Sequence, residues 1–189
     1  DIIEISKIES NQAVLNETEF DVNESVHYLF GFFKPQMEEK GLDFRLENSL
    51  PGESVVFRTD KMKFESVLTN FLKNALKFTR EGYVELGCIK EKKSWVFYVK
   101  DTGMGIPREK QKYIFERFRQ ADIELTRPYE GSGLGLAIAL AYAQMIGGEI
   151  GMDSEEGNGS IFYLKLSNPA IVVQQSTTVS SFLKTLSPA

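Results

Sequence analysis

Asn70-Phe71-Leu72-Lys73-Asn74-Ala75-Leu76-Lys77-Phe78-Thr79 has two unlike sides when wound as a helix. At 3.6 residues per turn, Asn70, Asn74 and Lys77 fall within roughly a 60° arc, and Leu68, Phe71, Leu72 and Ala75 fall opposite. One side is built to be buried and the other to line something polar. Taken alone, a surface helix with two solvated amides explains the pattern as well. The spacing predicts a helix from about Lys61 to Phe78. Strand candidates lie on both sides of it: Asp43 to Glu47 and Ser54 to Arg58 before, Tyr83 to Ile89 and Trp95 to Lys100 after, the last two joined by a charged turn. An irregular stretch runs from Asp101 to Gly135, with a short helix expected after Pro107 as its first residue. A helix from about Leu136 to Ile146 follows. Glu149 to Asp153 and Ser160 to Leu166 then read as a hairpin around Glu155-Glu156-Gly157-Asn158-Gly159. Helices among mostly antiparallel strands predict an α+β fold, a two-layer α/β sandwich whose mixed sheet of about five strands carries helices on one face.

Upstream, Asp21 with Glu24 three residues on is a helix-start signature. Val22, Val26, Leu29, Phe33 and Met37 recur at helical spacing, with Pro35 a candidate bend and Gly41 a natural stop. Residues 1–9 read as the last turns of a helix, with Ile2, Ile5 and Ile8 or Ile3 on one side. Residues 10–19 read as a polar linker, which sets the expected organisation: 1–19 as helix end and linker, 20–168 as the folded domain, and 169–189 as a Ser/Thr-rich tail.

A length of 189 residues suits one domain with appendages. With 42% hydrophobic and 26% charged residues, the composition is that of an ordinary globular protein. A net charge of -5 argues against a nucleic-acid partner. The one cysteine, Cys88, excludes an internal disulfide framework and fits a small buried side chain in a reducing compartment. Leu134 to Ile146, the longest apolar stretch, is shorter than the ~20 residues of a membrane-crossing helix. There is no signal peptide and no initiator Met, and the chain opens inside a helix, so a piece of a longer protein is expected.

Two glycine-rich segments carry the chemistry. Asp101-Thr102-Gly103-Met104-Gly105 ends an alternating strand. An ionised Asp101 is acceptor-only and suits an exocyclic amine such as adenine's. Gly103 and Gly105 lack a Cβ and let the backbone approach a flat base. A plain turn is the bland alternative. Asp-Thr-Gly is also an aspartic-protease signature, but that chemistry needs two carboxylates sharing a proton and leaves the asparagine helix unexplained. Gly131-Ser132-Gly133-Leu134-Gly135 leads straight into a helix, whose free N–H groups and dipole favour phosphate. It is neither a Walker loop nor a dinucleotide fingerprint. The polar loop of about Gln120 to Glu130 before it could close as a lid. Carboxamide oxygens suit Mg²⁺, and Lys77 can meet phosphate as a point charge. The set points to an ATP site.

These segments, with Phe115-Glu116-Arg117-Phe118 between them, resemble in order and spacing the N, G1, F and G2 boxes of sensor histidine kinases. Those kinases belong to the GHKL ATPase superfamily with gyrase, the heat-shock chaperone ATPase and mismatch-repair ATPases. Asp1-Ile2-Ile3-Glu4-Ile5-Ser6-Lys7-Ile8-Glu9-Ser10 also looks like the end of the family's dimerisation helix, so the resemblance covers about residues 1–167. It implies that Asn74 would ligate Mg²⁺, with Asn70 supporting metal or phosphates. Lys77 would approach the phosphates, and Asp101 would bind the adenine amine, with Gly103 and Gly105 beneath the base. Phe115 and Phe118 would anchor the lid, though plain core packing explains them too. Gly131, Ser132, Gly133, Leu134 and Gly135 would wrap the phosphates, and Arg119 and Arg127 would face the γ-phosphate. The implied activity is transfer of the ATP γ-phosphoryl group to a histidine on a dimerisation domain, for relay to a response-regulator receiver domain. The implied parent is a homodimer; the resemblance is compatible with a membrane-anchored parent, whose membrane this cytoplasmic domain would not itself touch.

Two departures stand out. The second segment reads Glu130-Gly131-Ser132 where many kinases have Gly-Gly-Thr. The phosphoacceptor pattern His-Glu-[hydrophobic]-Arg-Thr-Pro is absent, and the lone His27 does not match it and reads as a surface or structural residue. In gyrase and chaperone relatives a glutamate stands where Asn70 is, and an amide cannot take a proton from water. Asn70 therefore favours transfer to an imidazole over hydrolysis. A non-catalytic nucleotide-binding module and a chaperone- or topoisomerase-like ATPase are the alternatives.

Overall fold

A computed structural model describes residues 2–10, 12–48, 55–116, 133–167 and 170–172. In chain order its elements are α1 (Ile2–Glu9), β1 (Thr18–Asp21), α2 (Val22–Glu39), β2 (Asp43–Asn48), β3 (Val56–Thr59), α3 (Lys61–Phe78), β4 (Tyr83–Lys90), β5 (Ser94–Asp101), α4 (Arg108–Gln111), α5 (Gly135–Met145), β6 (Gly148–Glu155), β7 (Gly159–Ser167) and β8 (Ala170–Val172). Strands β2-β4-β5-β7-β6 form a five-stranded sheet in that order. The β2–β4 pair is parallel and the others are antiparallel, which gives the expected mixed sheet.

The period-2 pattern decides which face is covered. Val84, Leu86, Trp95, Phe97, Phe162 and Leu164 are buried on one face. There α3 lays Phe64, Val67, Leu68, Phe71, Leu72 and Ala75 against them. The opposite face carries polar pairs, among them Tyr98, whose hydroxyl donates to Glu85 Oε1 at 2.9 Å. Helices α2, α3 and α5 join the same core, so the two-layer expectation holds. Cys88 is buried in this layer, and burial pushes its thiol up to about 12.

Both long helices are capped by aspartate. Asp21 accepts from the N–H of Asn23 at 2.7 Å and starts α2, while Gly41, at φ +75°, follows the C-cap Lys40. Asp60 starts α3 and is 2% exposed. It accepts from the Lys63 N–H at 3.0 Å, the Lys63 ammonium at 2.6 Å and the Asn16 N–H at 2.9 Å. Burial works to raise its pKa, but the bonds from Lys63 and Asn16 outweigh burial and hold the carboxyl below its ordinary 3.8. Asp60→Ala is expected to cost about 2–4 kcal/mol in urea denaturation, from a lost cap and a Lys63 ammonium left with the Val14 carbonyl but no carboxylate. Because the folded-state value is depressed, that contribution is present above 3.8 and fades as pH falls through the lower folded value. A Ser substitution, which restores the cap alone, should recover only part of it.

Four local readings are corrected. Part of the polar stretch before residue 20 is strand β1, and residues after Ser167 include β8. Both pair antiparallel with β3, so β3 belongs to a separate three-stranded sheet, β1-β3-β8, and not to the main one. Pro107 is the N-cap of α4 and not its first helical residue. In α1 only Ile5 is buried, against Leu134, Ala137 and Ile138, while Ile2 and Ile3 are exposed. His27 is exposed on α2, its Nδ1 2.8 Å from Asn23 O, as the surface reading expects. Among the described residues no helix is long and apolar enough to cross a membrane.

Candidate functional site

Two chemically distinct centres lie along α3. The first is at its C-terminal end. Alternation along β5 turns Asp101 to the helix-covered face, where it is 6% exposed. Its Oδ1 accepts from the N–H of Gly103 at 2.8 Å. Burial raises the carboxyl's pKa above 3.8, opposed by the N–H groups of Gly103 and Ser160 and by the nearby Thr79 hydroxyl. That hydroxyl is fully buried beside the carboxylate and finds no hydrogen bond of standard geometry elsewhere. Gly103 lies so close that a Cβ would come 2.7 Å from both Asp101 Oδ1 and Phe78 O. Gly105 has φ +66°, and a Cβ there would come 2.0 Å from Glu155 O. Only glycine fits these two positions, which leaves bare backbone beside a buried acceptor.

A raised carboxyl pKa means that ionised Asp101 opposes folding. Its contribution favours the folded state below 3.8 and is lost as pH rises through the raised value. Asp101→Asn is therefore expected to raise the melting temperature of the ligand-free protein near neutrality, by about 2–4 °C for roughly 1 kcal/mol. Thermal denaturation at neutral and acid pH checks this, and the gain should shrink at acid pH. No gain at neutral pH would mean that the carboxylate is kept for reasons unconnected with burial.

The second centre is nine residues back along α3, roughly 14 Å at the helical rise of 1.5 Å per residue. Asn70 Nδ2 donates to Ser66 O at 2.9 Å, and this turns Oδ1 outward. Oδ1 then faces Gly135, where a Cβ would come 2.7 Å from it. Gly135 opens α5, and the N-cap residue Leu134 offers no side-chain acceptor. Among the described residues no side chain caps this helix, unlike α2 and α3, and a helix N-terminus of that kind suits an anion. Gly133, at φ +67°, turns the chain into it. The Leu134 side chain is fully buried in the Ile5 cluster, so only its backbone can serve a ligand. Asn74 is half-buried one turn after Asn70. Lys77 is nearer the Asp101 end, its ammonium 4.8 Å from the Phe78 ring centroid. Phe115 packs edge-on against Phe162 at 6.5 Å, as core packing predicts. Phe118, Arg119, Arg127, Gly131 and Ser132 lie outside the described residues.

Thr79 and Ser160 escaped the sequence reading. Ser160 carried a signal: it is the polar residue at a core-facing position of β7, in register opposite Asp101. Among the described residues no group of His, Cys, Asp and Glu could hold a metal ion. The oxygen donors here are amides, which fit a hard cation that keeps water and shares phosphate oxygens.

A family model described as histidine kinase-, DNA gyrase B-, and HSP90-like ATPase matches residues 59–170. The autoinducer 2 sensor kinase/phosphatase LuxQ of Vibrio vulnificus strain CMCP6 is 36% identical over 172 residues, 88% of this chain and 20% of that protein. The chain thus spans about a fifth of the curated relatives it matches. Full-length ShkA, solved in complex with AMPPNP, superposes with a TM-score of 0.80 at 27% identity, over 92% of this chain and 35% of that one. The nucleotide-free catalytic domain of histidine kinase ThkA gives 0.68 at 25% identity, over 81% of this chain and 96% of that one.

Proposed function

Because the chain belongs to the family of histidine kinase-, DNA gyrase B-, and HSP90-like ATPases, we propose that it is the ATP-binding catalytic domain of a sensor histidine kinase. It would transfer the γ-phosphoryl group to a histidine on a dimerisation domain, for relay to a receiver domain. The observation that carries this reading is the pairing of an α5 N-terminus that Leu134 does not cap, faced by the Asn70 amide oxygen, with the buried Asp101 carboxylate at the C-terminal end of α3. The kinase names of the relatives support it, as does the AMPPNP complex of ShkA.

Asp101 would accept from the adenine amine, with Gly103 and Gly105 beneath the ring. Gly131, Ser132, Gly133, the Leu134 backbone and Gly135 would hold the phosphates by N–H groups. Asn74 and Asn70 would hold Mg²⁺, which when bound neutralises the phosphate oxygens. Lys77, Arg119 and Arg127 would add positive charge, and Phe115 and Phe118 would seat the segment that covers the site. An imidazole nitrogen lone pair would bond the γ-phosphorus as the bond to the β–γ bridging oxygen breaks and ADP leaves. No residue has to take a proton from water, and Asn70 cannot. Residues 1–19 would be the end of the dimerisation helix and its linker, 20–168 the catalytic domain and 169–189 a tail, except that β1 and β8 bring Thr18–Glu19 and Ala170–Val172 into the folded domain.

Labelled ATP, with and without a separately supplied helical domain bearing the phosphoacceptor histidine, tests the proposal. Label should move to the histidine, with little turnover by this chain alone. Steady hydrolysis by the chain alone would favour the ATPase reading. Binding without transfer would favour a non-catalytic module.

A further inference from the structure

The loop after Gly105 is tied to the β6–β7 hairpin by a network that the nucleotide reading does not use. The N–H of Ile106 donates to Ser154 Oγ at 2.9 Å, across 48 positions of sequence. Ser154 Oγ donates in turn to Gly159 O at 3.0 Å and lies 2.9 Å from Ser160 Oγ. A serine hydroxyl has one proton and two lone pairs. With its proton on Gly159 and one lone pair taken by Ile106, Ser154 can still accept from the Ser160 hydroxyl. Ser160 is the register partner of Asp101 and gives that carboxylate its N–H.

Gln111, the last residue of α4, spans the same junction. Its Nε2 donates to Ile106 O and to Ser154 O, both at 2.8 Å. Both amide protons are used, each on a backbone carbonyl. One rung further, the N–H of Gly157 donates to Met104 O at 2.8 Å. Gly105 is held inside this bracket against Glu155, and Gly103 is held from the other side by Asp101 and Phe78.

We propose that Gln111 and Ser154 are positioning residues for the purine end of the nucleotide site. They clamp the Met104–Ile106 backbone to the hairpin and so set how far Gly103 and Gly105 stand from a base seated on Asp101. The proposal rests on the nucleotide reading above.

The test measures ADP, AMP and inorganic triphosphate binding to the 189-residue chain by calorimetry, with thermal unfolding of each variant. Gln111→Glu keeps the side chain's shape but sets an acceptor-only group against two carbonyls. It and Ser154→Ala should each weaken ADP and AMP by roughly tenfold, the worth of one or two such bonds. Ser154→Thr keeps the hydroxyl and should stay within about twofold of the parent. Triphosphate, which reports on the α5 end, should bind all four proteins alike. Equal loss of triphosphate and ADP would mark general damage and overturn the proposal, as would a Thr variant no better than Ala. Should Gln111→Glu unfold below the assay temperature, the Ser154 pair decides alone. A parent chain that binds neither ADP nor AMP sinks the nucleotide reading. A parent that binds, with variants that match it, sinks this inference only.

Discussion

Asp101→Ala is expected to weaken binding of a non-hydrolysable ATP analogue, measured with Mg²⁺ by calorimetry, by about two orders of magnitude. A hydrogen bond to a charged group contributes roughly 1.5–3 kcal/mol, or about 10- to 150-fold. Asp101 is at the upper end because it is 6% exposed, so little water competes for it. Because Asp101→Ala also strands the buried N–H groups of Gly103 and Ser160, thermal unfolding of the variant accompanies the titration, which is run well below its melting temperature. Unchanged affinity would refute the adenine assignment. Asn74→Ala should also weaken binding strongly, but only with Mg²⁺ present. Asn70→Glu should leave nucleotide binding in place, because it alters the group beside the phosphates and not the purine end.

Gly159→Ala is the substitution expected to do most harm to the fold. Gly159 has φ +94°, and a Cβ there would come 2.0 Å from Asp101 O, 2.9 Å from its carbonyl carbon and 3.0 Å from Thr102 Cα. The obstructing atoms are backbone and cannot rotate away. Either β7 pulls off β5 where Ser160 pairs with Asp101, or the hairpin turn distorts. We expect a loss of about 3–5 kcal/mol in urea denaturation, from left-handed strain together with overpacking. Nucleotide affinity should fall with it, because the displaced strand β7 carries Ser160, whose N–H the Asp101 carboxylate accepts. Gly157, also at positive φ but with open space where a Cβ would stand, is the control and should cost only about 1 kcal/mol. A Gly159→Ala protein as stable as the Gly157→Ala one would remove the close approach from the account.

What was legible in the chain divides by the range of the interactions. The helix from Lys61 to Phe78 announced itself because Leu68, Phe71, Leu72 and Ala75 fall on one side of it, opposite Asn70, Asn74 and Lys77, and burial bears this out. Strands β5 and β7 alternate cleanly, and turn residues bound the other strands of the main sheet, so all five were readable. Strands β1 and β8 were not, being four and three residues long and defined by pairing with β3. The chemistry of Asp101 was readable because its residue type and its glycine neighbours are local. The Gln111–Ser154 bond joins positions 43 apart, and no local period reports it. Nor could the sequence say which way the Asn70 amide turns, since Ser66 O one turn back sets that.

Strand β3 is gripped on one edge by β1 and on the other by β8, both antiparallel to it. Tension applied to the polypeptide before Thr18 or beyond Val172 therefore meets a ladder loaded in shear, whose rungs must rupture together. Force arriving from neighbouring segments would spend itself on this small clasp before reaching the five-stranded layer, which makes the clasp a mechanical fuse for the domain.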